Sequence, residues 1–309
     1  MSQHKADLIL VLVTMFWGSS YIFMKIGIES LAVFNLIALR FLVAFVVTAI
    51  LFFRMLGKID WVTVLFSMIQ SVLLLGVFSF IMYGMKTVST SKAGFLVSLT
   101  VVFVPLVHAC IVKKLPGIRA LCGTLIALLG IYVLTGAASI GLNAGSLFLI
   151  IAALLNAIYI EITGRIIHRV KIIPFSMYQM GFVAAVAFVF SAAFERPHLP
   201  DSASVWISVL GLGLLCSAAG YLLQAAAQRY TTSLHAGLIF TLEPIFAVFF
   251  AFLADGEHMS FHEYVGAVLV LASLVIMELK PRFFQHIKRG FRARIMQIKT
   301  KFSRFVAKI

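Results

Sequence analysis

Apolar residues run along this chain in blocks too long for the helices of a small soluble core and too uniform for strands. Cut at charged or Gly/Pro-rich breaks, the sequence falls into ten mostly apolar segments: Leu8 to Gly27, Phe34 to Phe53, Val62 to Gly84, Ala93 to Val112, Ile118 to Gly136, Ala144 to Gly164, Ile173 to Phe194, Ala203 to Ala226, Ser233 to Ala254 and His262 to Leu279. None alternates with the period of two that a half-buried strand shows. About 20 apolar residues let a helix cross roughly 30 Å of hydrocarbon, and in lipid a backbone without water must bond to itself. The pattern therefore predicts an all-α integral membrane protein of ten transmembrane helices, with connections too short to hold a soluble domain. The first segment outruns a signal-peptide core and has no small-residue cleavage site before Trp17, so it is expected to be retained.

The chain also repeats itself. At an offset of 143, Ala93-Gly94 falls on Ala236-Gly237, Ser98-Leu99 on Thr241-Leu242, Lys86 on Arg229 and Gly123 on Gly266. At an offset of 139, Arg40 falls on Gln179 and Asn35-Leu36 on Pro174-Phe175. A repeat of five spans is odd, so the second copy must sit upside down relative to the first. The domains expected are two inverted five-helix repeats, residues 1–140 and 141–280, followed by a tail, residues 281–309. Inverted repeats of this type build secondary transporters whose substrate site lies near the bilayer midplane.

Several stretches carry a family likeness. In order along the chain stand WGSSYIFMKIGIES, FNLIALRFLVAF, AGFLVSLTVVFVPL, LCGTLIALLGIYVL, SLHAGLIFTLEPIFAVFFAF and DGEHMSFHEYVGAVLVLASLVIM. Together they resemble the EamA-type branch of the drug/metabolite transporter superfamily, over nearly the whole chain up to Glu278. The resemblance implies a central cavity walled by the first, third, fourth, sixth, eighth and ninth helices. It also implies export of amino acids or related small metabolites. The first repeat departs from the second where Val101 stands in place of Pro244 and Lys114 in place of Glu257.

Composition agrees with the spans: 62% of residues are hydrophobic and 12% charged, against about 45–50% and about 25% in globular domains. The formal net charge of +14 first suggests nucleic acid, but its distribution excludes that, because no soluble basic domain exists to bind it. Arg282 to Lys308 is rich in Lys and Arg and contains no acid. Lys5, Arg54, Lys58, Lys113, Lys114, Arg119, Arg165, Arg169, Lys171 and Arg229 fall on one side of the alternating spans, against only Lys25, Lys86, Lys92 and Arg196 on the other. Cytoplasmic loops keep the positive charge, so both termini are expected in the cytoplasm, with the protein in a bacterial inner membrane. In the tail, Phe284, Ile287, Phe291, Ile295, Ile298, Phe302, Phe305 and Ile309 recur at helical spacing among basic residues. This is the pattern of an amphipathic helix lying on anionic lipid.

Polar groups at membrane depth are costly and mark candidate sites. Glu243 sits near the middle of the ninth segment, about 15 Å from either end, as a proton acceptor or cation partner, or as a carboxyl seating the kink at Pro244. Arg40, about 9 Å deep in the second segment, is assigned a structural role, with a side chain long enough to snorkel outward. The further cavity candidates are Trp17, Ser20, Tyr21, Tyr83, Ser98, Thr100, Asn156, Tyr159, Tyr221, Gln224 and His235. Glu161 with Arg165 four residues on reads as a solvated interfacial ion pair, and His108 as a lone satisfied polar side chain. Cys110, Cys122 and Cys216 lie in apolar runs without pair spacing. His258 and His262 are four apart, but nothing else points to a metal, so no metal site and no cofactor are expected. Nucleotide loops, nucleophile elbows and paired catalytic carboxylates are missing from the sequence, so no enzyme is expected. The partners are then a small-molecule substrate and the lipid bilayer, with no preference for an oligomeric state. One alternative stays open at this point: a non-transporting membrane scaffold whose basic C-terminal helix recruits a partner or anionic lipid.

Overall fold

A computed structural model describes residues 1–56, 60–113, 118–134, 143–256 and 259–278. The expectations for His258 and for the amphipathic tail fall outside the described residues. Among those residues every regular element is helical. Apart from a single turn at Phe53–Leu56, they are in chain order α1 Gln3–Ser30, α2 Val33–Leu51, α3 Trp61–Met85, α4 Thr90–Val112, α5 Ile118–Leu134, α6 Ala144–Ile166, α7 Ile172–Phe194, α8 Ala203–Gln228, α9 over 233–255 and α10 Phe261–Glu278. Helices α1 to α4 and α6 to α8, seven in all, are long and apolar enough to cross a membrane. The remaining three of the ten expected spans fall short by that measure among the described residues, α9 and α10 counting there only as the shorter apolar helices Glu243–Ala254 and Phe261–Ser273.

These helices are apolar on all sides, and Leu8, Ile50, Val72, Phe188 and Phe249 stay exposed, as suits a solvent that is itself hydrocarbon. Three helix starts take their own side-chain caps: Asp60 accepts from Val62 N, Asn143 from Ser146 N and Ser202 from Val205 N. Helix α2 is capped from elsewhere. The Glu195 carboxylate, just past α7, accepts from the backbone N–H groups of Phe34 and Asn35 at 3.0 and 2.9 Å, placing a negative charge on the positive end of the α2 dipole. Buried polar side chains then stitch neighbours together, as small polar residues do between membrane helices. Ser67 of α3 donates to Phe175 O of α7 at 3.1 Å, and Gln70 of α3 donates to Tyr159 O of α6 at 3.1 Å.

Two helices are interrupted at positions related by the offset of 143. Helix α4 breaks between Thr90–Val97 and Thr100–Val112, and α9 between Ser233–Ile239 and Glu243–Asp255, joined by a single 3-10 turn at Phe240–Leu242. Pro244 explains the second break: it lacks an N–H and stands in the first turn of the new helical piece, where a proline is tolerated. The first break has Val101 instead. There the hydroxyls of Ser98 and Thr100 turn back to Phe95 O and Val97 O at 2.6 and 2.7 Å, satisfying carbonyls near the interruption.

The halves meet by close approach. A Cβ on Gly18 of α1 would fall against Phe246 and within 3.0 Å of Ala247 N; one on Gly94 of α4 would lie 2.8 Å from the Ala247 Cβ. The second half of α9 thus lies in a slot between two glycines. At the same offset, Gly94 becomes Gly237 and Val104 becomes Ala247, and a Cβ on Gly237 would indeed face Val104, at 3.8 Å.

The Glu161 pair differs from expectation. Glu161 does bond Arg165, at 2.7 Å, but the carboxylate is buried at 2% exposure, and His108 of α4 reaches the same oxygen at 2.9 Å. His108 is therefore not alone and Glu161 is not solvated: α4 packs against α6 just there and covers the carboxylate. Its second oxygen has no partner among the described residues.

Two consequences are measurable by thermal unfolding in detergent. Gly18→Ala costs about 1–3 kcal/mol through overpacking against backbone, whereas Gly76→Ala, which meets only the tip of Leu155 at 3.1 Å, costs less. Equal effects would show that the α1–α9 approach is loose. Arg165→Ala is more destabilising than Glu161→Gln, because the first leaves the buried carboxylate with His108 alone and the second removes the charge, a difference of about 1–3 kcal/mol. The reverse order would mean the carboxylate is not charged at rest.

Candidate functional site

Where α1, α2, α3, α4, α6, α8 and α9 converge they leave a cavity of about 30 Å³, room for one or two waters. Helix α1 offers Trp17, Ser20, Tyr21 and Met24, three and four residues apart and so on one face. Helix α3 supplies Val77, Phe78 and Ile81, and the broken α4 and α9 bring Val97 and Glu243 to the same space. Arg40, Asn156 and Tyr221 close it from α2, α6 and α8. Two larger hollows, of about 570 and 420 Å³, lie between α2 and α7 and along α1, α8 and α9. Their almost wholly apolar walls suit lipid chains better than a polar solute.

Glu243 is the first residue of the second piece of α9, so the break sets where its carboxyl stands. Tyr21 donates its hydroxyl to Glu243 Oε1 at 3.0 Å. Arg40, also at the cavity, is fully buried. Its Nε and Nη2 both donate to Ser217 Oγ, at 3.1 and 3.0 Å, and the guanidinium lies 4.1 Å from the Phe78 ring centroid and 5.1 Å from that of Phe41. Although long enough to snorkel, Arg40 does not reach outward, because Ser217 and two aromatic rings hold it inside. Its bonding partner is on α8, in the other half of the chain.

Ser217 is presented by an irregularity. Helix α8 widens into a π-helix over Leu212–Ala219, and such stretches recur at functional sites. Trp17 Nε1 donates to Cys216 O at 3.1 Å, and Cys216 Sγ reaches Phe16 O at 3.1 Å. Tyr221 stands at the hub of the aromatic lining: its ring centroid lies 5.5 Å from Trp17, 6.0 Å from Tyr159 and 6.5 Å from Phe78.

Of the residues expected at the cavity, Trp17, Ser20, Tyr21, Asn156, Tyr221 and Glu243 line it. Tyr159 sits one layer behind Tyr221 and accepts a hydrogen bond from Gln179 at 3.0 Å. Ser98 and Thr100 spend their hydroxyls on the α4 break, and Asn156 donates to Thr100 Oγ1 at 3.4 Å. Tyr83 pairs instead with Phe34 and Phe148, and Gln224 is buried in α8 away from the lining. The His235 side chain lies outside the described residues. Reasoning from polar residues missed Met24, Val77, Phe78, Ile81 and Val97; Phe78 was legible only as the aromatic face a buried arginine needs.

The model of the EamA-like transporter family matches residues 4–136 and again 143–279. A protein of Archaeoglobus fulgidus named an uncharacterized transporter is 26% identical over 89% of this chain and 86% of its own. The uncharacterized transporter YdfC of Bacillus subtilis is 25% identical over 85% of this chain and 88% of its own. A solved crystal structure shares the fold with a TM-score of 0.67 at 20% identity, covering 89% of this chain and 96% of that one.

Tyr21→Phe leaves Glu243 without this donor and is expected to cost about 1–3 kcal/mol in detergent unfolding if the carboxyl is ionised, and about 1 kcal/mol if it is neutral. No measurable change would show that the bond is idle.

Proposed function

The chain belongs to the EamA-like transporter family, and from that premise we propose that it is a secondary transporter exporting amino acids or related small metabolites by alternating access. The observation that carries this reading is the cavity itself, where helices of both halves meet around one buried cation and one carboxyl in a chain whose spans are otherwise almost free of charge. A zwitterionic solute offers the opposite charge to each of the two groups, and since about 30 Å³ holds no more than water, it is taken up as the surrounding helices separate. The ten-helix inverted repeat, residues 1–140 and 141–280, is supported by three things: the family model matches twice, α4 and α9 break at equivalent positions, and the Gly94–Ala247 contact has its reciprocal in Gly237–Val104. Broken helices flanking a midplane site are the usual device of inverted-repeat transporters. The distribution of Lys and Arg supports cytoplasmic termini in a bacterial inner membrane. Between opposite-facing states Glu243 carries a proton or pairs with a cationic group of the substrate.

Flux through purified protein in proteoliposomes tests the reading. Uptake of at least one solute from an amino-acid and metabolite panel is expected; failure of every solute to move sinks the transporter assignment. Glu243→Gln is expected to flatten the pH dependence of that flux while the protein still purifies as a folded species. An unchanged pH profile would make Glu243 a structural residue.

A further inference from the structure

Arg40 is a cation without a counter-ion. It is 0% exposed, it bonds one neutral hydroxyl through Nε and Nη2, and no ion pair to it occurs among the described residues. Its Nη1 is buried with no hydrogen-bond partner among the described residues. A guanidinium carries five N–H donors in a rigid fork, so a group held on one edge and stacked on Phe78 at 4.1 Å keeps its other donors oriented for a planar acceptor. A buried charge left in this state is strongly unfavourable unless something neutralises it in the working cycle.

The repeat sharpens the point. Gln179, which falls on Arg40 at the offset of 139, is neutral and donates to Tyr159 at 3.0 Å. A purely structural tie between helices is thus made without charge in the second half. The charge in the first half has another use.

We propose that Arg40 is an anion-binding subsite of the cavity, which takes the carboxylate of the transported solute on its free Nη1 edge while Ser217 and Phe78 fix the plane of the guanidinium. Ser217 is a positioning residue, set by the π-helical stretch of α8. The inference rests on the transporter reading for the word "transported", but not for the binding.

The test is ligand-induced thermal stabilisation of the purified full chain in detergent. The probes are matched pairs of a carboxylate and its neutral amide: acetate with acetamide, propionate with propionamide, benzoate with benzamide, all at constant ionic strength with chloride. At least one carboxylate is expected to raise the unfolding temperature where its amide does not. Arg40→Gln should weaken that carboxylate about ten-fold or more, Arg40→Lys should restore part of the response, and Ser217→Ala should weaken it less than Arg40→Gln. Without ligand, Arg40→Gln should unfold no lower than the parent, since it removes an uncompensated charge. The subsite is overturned if no carboxylate outdoes its amide, or if Arg40→Gln responds as the parent does. Should Arg40→Gln fail to fold, the comparison passes to Arg40→Lys and Ser217→Ala, and an unaltered carboxylate response in both overturns it. Carboxylate binding without flux of any solute would leave the subsite standing and sink the transporter reading. Flux of solutes with no carboxylate preference would do the opposite.

Discussion

Water is missing from the interior of a bilayer, and almost every feature of this protein follows from the need to satisfy backbone groups without it. Uninterrupted helices meet that need on their own. The three irregular places do so only with help: hydroxyls of Ser98 and Thr100 at the break in α4, Pro244 at the break in α9, which removes a donor, and the indole of Trp17 at the widened turn of α8. All three surround the same small cavity. Departures from regular helix are tolerated where protein covers them, and here the covered centre is the cavity.

Charge obeys the same constraint. The described spans hold few ionised groups, and those within the bundle are placed with care: Glu161 takes two basic partners, and Glu195 sits on a helix start. Arg40 and Glu243 stand apart from this economy. Each has only neutral partners among the described residues, and each is supplied by a different half of the chain. The cavity is therefore lined by one group of each sign, neither of them paired to an opposite charge among the described residues.

Much of the fold was legible in the sequence because lipid makes hydrophobic blocks long and their boundaries plain. The kink of α9 was legible from Pro244, but the matching break of α4 was not, because Val101 stands at the equivalent position and the break there rests on the hydroxyls of Ser98 and Thr100. What the sequence hid was side-chain direction. Glu161 and Arg165 show the spacing of a surface pair, and only the packing of α4 on α6 buries the acid. Arg40 reads as a residue able to reach the interface until Ser217, 177 positions away, is seen to claim it. Apolar cavity residues such as Val77 and Ile81 are indistinguishable in sequence from those that face lipid.

The glycine contacts at the seam are unequal. Gly94 is seated against Ala247 with no space for another atom, whereas its counterpart Gly237 keeps ordinary van der Waals distance from the bulkier Val104. One end of the diagonal where α4 crosses α9 is wedged and the other has free play of about an ångström. Any sliding of α4 against α9 meets least resistance at the slack end, so the two ends of this crossing do not yield alike, and the size of two side chains gives the crossing a direction.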